Sequence, residues 1–211
     1  MKPALRSFMG ILWDAFLPQN VVLAQALGLC PILAMGTDLR SGVAFSVCAV
    51  ITLVLSDVLL ALYSRFIPKR LQAPLYALLF AGMLFGVAVL IRLVIPVEVY
   101  AHLEFFLPLM AVNTLSVYRS VIAPTRRTRS LLITLADSLG SALGFSLVLC
   151  VASALREMTI NGTLWNLPLG YAARFPEAAH PFIGFVLLGF MAATLQWVKR
   201  LLRRDNSQEV T

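Results

Sequence analysis

The chain has 211 residues, of which 60% are hydrophobic and only 13% charged, with a formal net charge of +7 and a mean hydropathy of +0.87. Soluble domains are about 45–50% apolar and about 25% charged, so a water-soluble enzyme, a disordered chain and a disulfide-stapled secreted domain are all excluded. A membrane-embedded helical bundle remains, in which Lys and Arg report sidedness rather than nucleic-acid binding, and three Cys within apolar stretches make no disulfide framework.

Residues 1–19 read as a cytoplasmic or interfacial N-terminus, with 9–17 a short interfacial helix carrying Trp13 and Phe16. Lys2 and Arg6 resemble the start of a signal peptide, but no small-residue cleavage site follows cleanly, so no cleavage is expected. A bilayer core of about 30 Å takes roughly 20 helical residues. Six stretches meet that length, some only if breaks are allowed: 21–37, 42–66, 71–95, 99–122, 130–155 and 181–202. The expected fold is therefore an all-α integral membrane protein with six transmembrane helices spanning 20–202, followed by a cytoplasmic tail at 203–211.

The first span carries Gly28, Cys30 and Pro31 at its middle. Proline lacks an N–H and clashes with the preceding turn, so this helix is expected to be kinked or split. The second span contains Cys48 and, toward its cytoplasmic end, Asp57, read either as an ion-pathway carboxylate or as an acid reaching the interface. The fourth begins near Glu98, His102 and Glu104, a solvated helix entrance rather than a metal site. It then places Pro108, Asn113 and Thr114 at membrane depth, where irregular backbone survives only if protein or a cavity satisfies it.

The fifth span holds Asp137, the best candidate for an ion-linked carboxylate, with tying of helices through hydrogen bonds as the structural alternative. Gly140 and Gly144 form a small face for close helix contact, and Cys150 reads, like Cys48, as a small buried hydrophobe. Arg156 and Glu157 are expected to form an ion pair at the outer interface. Trp165 and Trp197 suit headgroup-level anchors.

With the N-terminus in the cytoplasm, 13 of the 17 Lys and Arg residues fall inside, and Arg40, Arg92, Arg156 and Arg174 fall outside. This asymmetry fits six spans with both ends cytoplasmic. The broken spans, first and fourth, each open a set of three, about 20–96 and 97–202, and the second set must enter from the opposite face. That is the geometry of an inverted-topology repeat whose interrupted helices meet near the midplane.

Several blocks resemble one family. Ala26-Leu27-Gly28-Leu29-Cys30-Pro31 is similar to the LGLCP signature of the six-helix membrane subunits of Rnf and sodium-translocating Nqr electron-transport complexes. Leu107-Pro108-Leu109 through Asn113 resembles their second signature, PL-x-x-x-N-C. Residues 137–146 resemble a D-x-LG-x-x-LGF-[ST] stretch, and Ala154-Leu155-Arg156-Glu157 with 161–164 resembles an IRE…G-[ST]-L-F ending. The N-in orientation is that of the E-type Rnf and D-type Nqr subunits.

The resemblance implies a homologous sister subunit of opposite orientation and a two-iron, two-sulfur cluster held between the pair, each subunit giving one Cys from each broken helix. Cys30 matches the first ligand, whereas Thr114 stands where the family has the second, after the matching Asn113. A hydroxyl is a hard oxygen ligand ill suited to such a cluster. The site is thus lost, held by three Cys and another atom, or completed by another thiol such as Cys48 or Cys150. The expected function is a membrane subunit of a Na+- or H+-translocating electron-transport complex in the bacterial or archaeal cytoplasmic membrane. The alternatives are a non-redox scaffold subunit and a stand-alone secondary transporter on the same fold.

Overall fold

The computed structural model describes residues 2–16, 22–23, 28–35, 38–63, 68–93, 100, 104, 106–108, 110–111, 131–165, 167–168 and 180–208. Their elements are α1 (Lys2–Phe16), α2 (Leu29–Met35), α3 (Leu39–Tyr63), α4 (Lys69–Arg92), α5 (Leu131–Asn161), the two-residue antiparallel strands β1 (Thr163–Leu164) and β2 (Leu167–Pro168), and α6 (Pro181–Gln208). Among the described residues, Leu39–Leu62, Pro74–Arg92 and Leu131–Asn161 are long and apolar enough to cross a bilayer, and Phe182–Trp197 is a shorter apolar helix.

The second and third predicted spans begin three and two residues earlier than hydropathy places them, and the third ends three residues earlier. The fifth and sixth run six residues beyond their expected ends. Helix α5, at about 1.5 Å per residue, is about 46 Å long and exceeds a bilayer core of about 30 Å. Most of the fourth predicted span, including Asn113 and Thr114, lies outside the described residues.

The core is the seam between α3 and α5. Leu39 meets Glu157, Ser46 meets Cys150, and Asp57 meets Ser138. As positions rise along α3 they fall along α5, so the two helices are antiparallel. Small residues let the backbones approach: Ala44, Ala49, Ala142 and Ala152 are buried, and a Cβ added at Gly42 would lie 2.5 Å from the Ser153 hydroxyl. Between apolar helices in lipid, such close packing and hydrogen bonding replace the hydrophobic effect as the source of association. Phe45 and Phe145 fill the space beside these small residues, and both are fully buried.

Helix α1 is longer than the expected interfacial segment and packs against α5 rather than standing apart. A Cβ at Gly140 would lie 2.7 Å from both the Leu12 carbonyl oxygen and the Ala15 methyl, so this glycine is what admits α1. Met9 and Trp13 remain exposed on the outer side of α1. Large side chains such as Phe85 on α4 and Phe182 on α6 are exposed, at 74% and 72%. Faces of that kind are a liability in water and ordinary against acyl chains.

Candidate functional site: a broken helix and its buried charges

The first span breaks at Gly28. Residues 22–23 are helical, Gly28 is not, and its φ of 81° lies in the left-handed region that glycine enters without a Cβ clash. The chain turns there and restarts as α2 at Leu29, which puts Cys30 and Pro31 in the first turn. Proline costs little in a first turn, where its missing N–H would have no helical partner. Gly28 thus takes the left-handed turn that leads into α2, and Pro31 falls in the first turn of that helix, where it is tolerated. Cys30 is exposed at this restart, whereas Gly28 and Pro31 are buried.

Arg156 and Glu157, expected as a pair at the outer interface, bond the backbone on either side of the α2–α3 connection. Both residues are 1% exposed, inside α5. Arg156 donates from Nη1 to the Leu33 carbonyl at 2.9 Å. Glu157 accepts the Leu39 backbone N–H at 2.8 Å through Oε2, and the Thr163 hydroxyl at 3.1 Å through Oε1. A helix leaves its last carbonyls and first N–H groups without internal partners. Arg156 thus serves the end of α2, and Glu157 serves the start of α3. The signs are the favourable ones, a cation at a helix C-terminus and an anion at an N-terminus. Across the connection, Ser41 donates to the Asp38 carboxylate and the Gly42 N–H bonds the Asp38 carbonyl at 3.0 Å.

At the far end of the same helix pair, Asp57 is buried. Its carboxylate accepts the Ser138 hydroxyl at 2.7 Å and the Tyr76 hydroxyl at 3.0 Å, so one acid joins α3, α4 and α5. The Ser138 oxygen also lies 3.5 Å from the Leu53 carbonyl. Asp137 directly precedes Ser138 and is half-buried, and its backbone carbonyl accepts from Ser141 at 2.8 Å. Sequence reasoning does not single out Ser138 or Tyr76. A Ser beside an Asp, and a Tyr within an apolar span, are the available signals.

The two acids correspond in register. Leu39, Ser41, Phe45, Ser46 and Leu55 recur as Leu139, Ser141, Phe145, Ser146 and Leu155, and Asp57 recurs as Glu157, each 100 positions on. Burial follows the same register: positions 41, 42, 44, 45, 48, 49, 52, 53, 56 and 57 are buried, and so is each position 100 later. Each acid also bonds near the beginning of the other's helix.

Of the remaining candidates, Cys48 is fully buried in this seam and the Cys150 thiol lies 3.5 Å from the Ser46 hydroxyl. Pro108 is exposed and lines a groove of about 280 Å³ against α4, together with Leu84, Phe85, Tyr100 and Glu104. Arg92 stacks over the Tyr100 ring at 5.8 Å from its centroid. The residues that the sequence groups with Glu104, namely Glu98 and His102, lie outside the described residues.

A family model described as Rnf-Nqr subunit, membrane protein, matches residues 8–195. Among curated relatives, the E-type component of an ion-translocating oxidoreductase complex from Shewanella loihica is 30% identical over 213 residues, covering 94% of this chain and 90% of that one. The protein of the same description from Shewanella oneidensis is 30% identical over 162 residues, covering 77% of this chain and 68% of its own.

Proposed function

This chain belongs to the Rnf-Nqr family of membrane subunits, and from that premise we propose that it is the E-type component of an ion-translocating oxidoreductase complex, passing electrons across the membrane with a homologous sister of opposite orientation. The observation that carries the reading is the break at Gly28, which leaves Cys30 exposed in the first turn of α2. A thiol facing outward from a broken helix is available to a second chain. A six-span, three-plus-three inverted repeat is supported by the 100-residue correspondence of α3 and α5 and by their antiparallel packing about one seam. The cytoplasmic placement of both termini in the inner membrane is supported by the 13 to 4 split of basic residues. Arg156, one of the four, is held inside α5 and takes no part in a loop.

A two-iron, two-sulfur cluster fits this chain at one position. Cys30 would be its thiolate ligand, and the cluster would supply one-electron transfer. On the family resemblance the remaining ligands would come from the sister subunit, with Thr114 leaving the set altered. Thr114 is also the observation that favours a second reading, a scaffold subunit that no longer carries electrons. Asp57 and Asp137 are the carboxylates offered to Na+ or H+, and the burial of Asp57 among three helices supports an acid that is not merely interfacial. Iron content and visible absorbance of the purified complex, compared between wild type and Cys30→Ser, test the assignment. Loss of iron is expected; unchanged iron rejects the electron-carrying role and leaves the scaffold.

A further inference from the structure

We propose that Arg156 and Glu157 act as a positioning clasp that fixes the half-helix bearing Cys30, one residue holding its end and the next holding the start of the helix that follows. The basis is the pair of contacts from adjacent residues of α5 to both sides of the α2–α3 connection: Arg156 Nη1 to the Leu33 carbonyl at 2.9 Å, and Glu157 Oε2 to the Leu39 N–H at 2.8 Å. Leu33 is three residues beyond Cys30 in a helix of seven residues, so fixing that carbonyl fixes the thiol. So short a helix is marginal by itself and takes its position from what packs on it.

The surroundings leave the clasp little freedom. A Cβ at Gly184 on α6 would lie 2.6 Å from a Leu33 methyl and 3.7 Å from Arg156 Nη1, so α6 closes over the bond. Thr163, in β1, holds the second oxygen of Glu157 and orients the carboxylate toward Leu39. Placing two charges in a water-excluded site is costly unless their hydrogen bonds are made. Here Arg156 Nη1 and both Glu157 oxygens have partners, and two of these are helix-end groups that would otherwise be orphaned. The residues act through α2 and touch no transferred electron or ion, so their role is positional.

The relevance to electron transfer rests on the reading of Cys30 given above, but the test does not. The full chain is placed in lipid nanodiscs with Cys48→Ala and Cys150→Ala, and a nitroxide is attached to Cys30. Arg156→Gln and Glu157→Gln are each expected to raise the mobile fraction of the spectrum about tenfold, the scale of one lost hydrogen bond to a charged group. Arg156→Lys, which restores charge and a donor, recovers most of the immobile signal. A label at Leu93→Cys on a Cys30→Ala background is expected to stay unchanged in every variant. Should Arg156→Gln fail to accumulate, Glu157→Gln decides alone, since Gln keeps the shape but offers an NH2 in place of one acceptor. An unchanged Cys30 spectrum, or equal loosening at position 93, overturns the clasp. Missing iron with a responsive Cys30 spectrum would instead reject the cluster and leave the clasp standing.

Discussion

Asp57 and Glu157 occupy equivalent positions 100 residues apart, and each receives a hydrogen bond from near the beginning of the other's helix, Asp57 from Ser138 and Glu157 from the Leu39 N–H. Two antiparallel helices are thereby fastened at both ends by carboxylates rather than by apolar contact alone. In lipid this matters, because apolar side chains gain little by leaving acyl chains for one another.

The Asp57 fastening can be measured. Asp57→Leu removes the carboxylate that accepts from Tyr76 and leaves the Ser138 hydroxyl only its longer approach to the Leu53 carbonyl, and a buried donor that loses its acceptor costs about 1–3 kcal/mol. Hydrogen bonds between membrane helices average nearer ~0.6 kcal/mol because the separated helices find other partners. A total loss of about 2 kcal/mol is expected for Asp57→Leu, and roughly half for Asp57→Asn, which keeps one acceptor. Thermal or detergent unfolding of the purified complex reads both values. Equal stability of Asp57→Leu and wild type would make the buried acid a bystander.

Composition and run length already specify a membrane bundle, and the placing of Gly28, Cys30 and Pro31 at mid-span marks the broken helix, because those signals are local. Chemistry that forbids proline in a helix interior points to Pro31 as the cause of the break, but Gly28 makes the turn and Pro31 falls where a helix tolerates it. Arg156 and Glu157 are legible as charges near a span's end and illegible as caps. Their partners lie 123 and 118 residues away along the chain, and hydropathy alone cannot say that α5 runs past them to Asn161. Asp57 is ambiguous in the sequence for the same reason, since its partners Tyr76 and Ser138 belong to two other helices.

Gly140 sets how closely α1 approaches α5. A Cβ there meets the Leu12 carbonyl oxygen, and backbone cannot step aside as a flexible side chain can. Gly140→Ala is expected to cost about 1–3 kcal/mol, as overpacking does, and Gly140→Leu to displace α1. Gly86→Ala on α4, where a Cβ would meet nothing within 4 Å, is expected to be neutral or stabilising by up to about 1 kcal/mol. Protease sensitivity of α1 and the emission of exposed Trp13 report its release. Equal behaviour of the two alanine variants would mean that α1 is not held by this contact.

Gly42 and Ser153 form the matching close approach inside the seam. An added methyl at position 42 would fall 2.5 Å from the Ser153 hydroxyl oxygen and 3.0 Å from its Cβ, so both atoms must move for Gly42→Ala to fit. A destabilisation of about 1–3 kcal/mol is expected, with Ser153→Gly restoring part of it in the double variant. The coupling in a double-mutant cycle is the decisive quantity. Strict additivity would show that the helices can separate here without strain.

Thr114→Cys addresses the odd residue of the site. If the sister subunit supplies its own thiolates and Cys30 the third, a Cys at 114 restores the ligand type that such clusters use, where a hydroxyl is poorly matched to iron. Iron per purified complex and the intensity of the cluster's visible absorption are expected to rise in Thr114→Cys, and Cys30→Ser on that background is expected to abolish the gain. The second variant ties the effect to a shared site rather than to adventitious metal on a new thiol. Iron unchanged by Thr114→Cys would place the two positions in different environments, and the scaffold reading would then account for the chain better than electron transfer does.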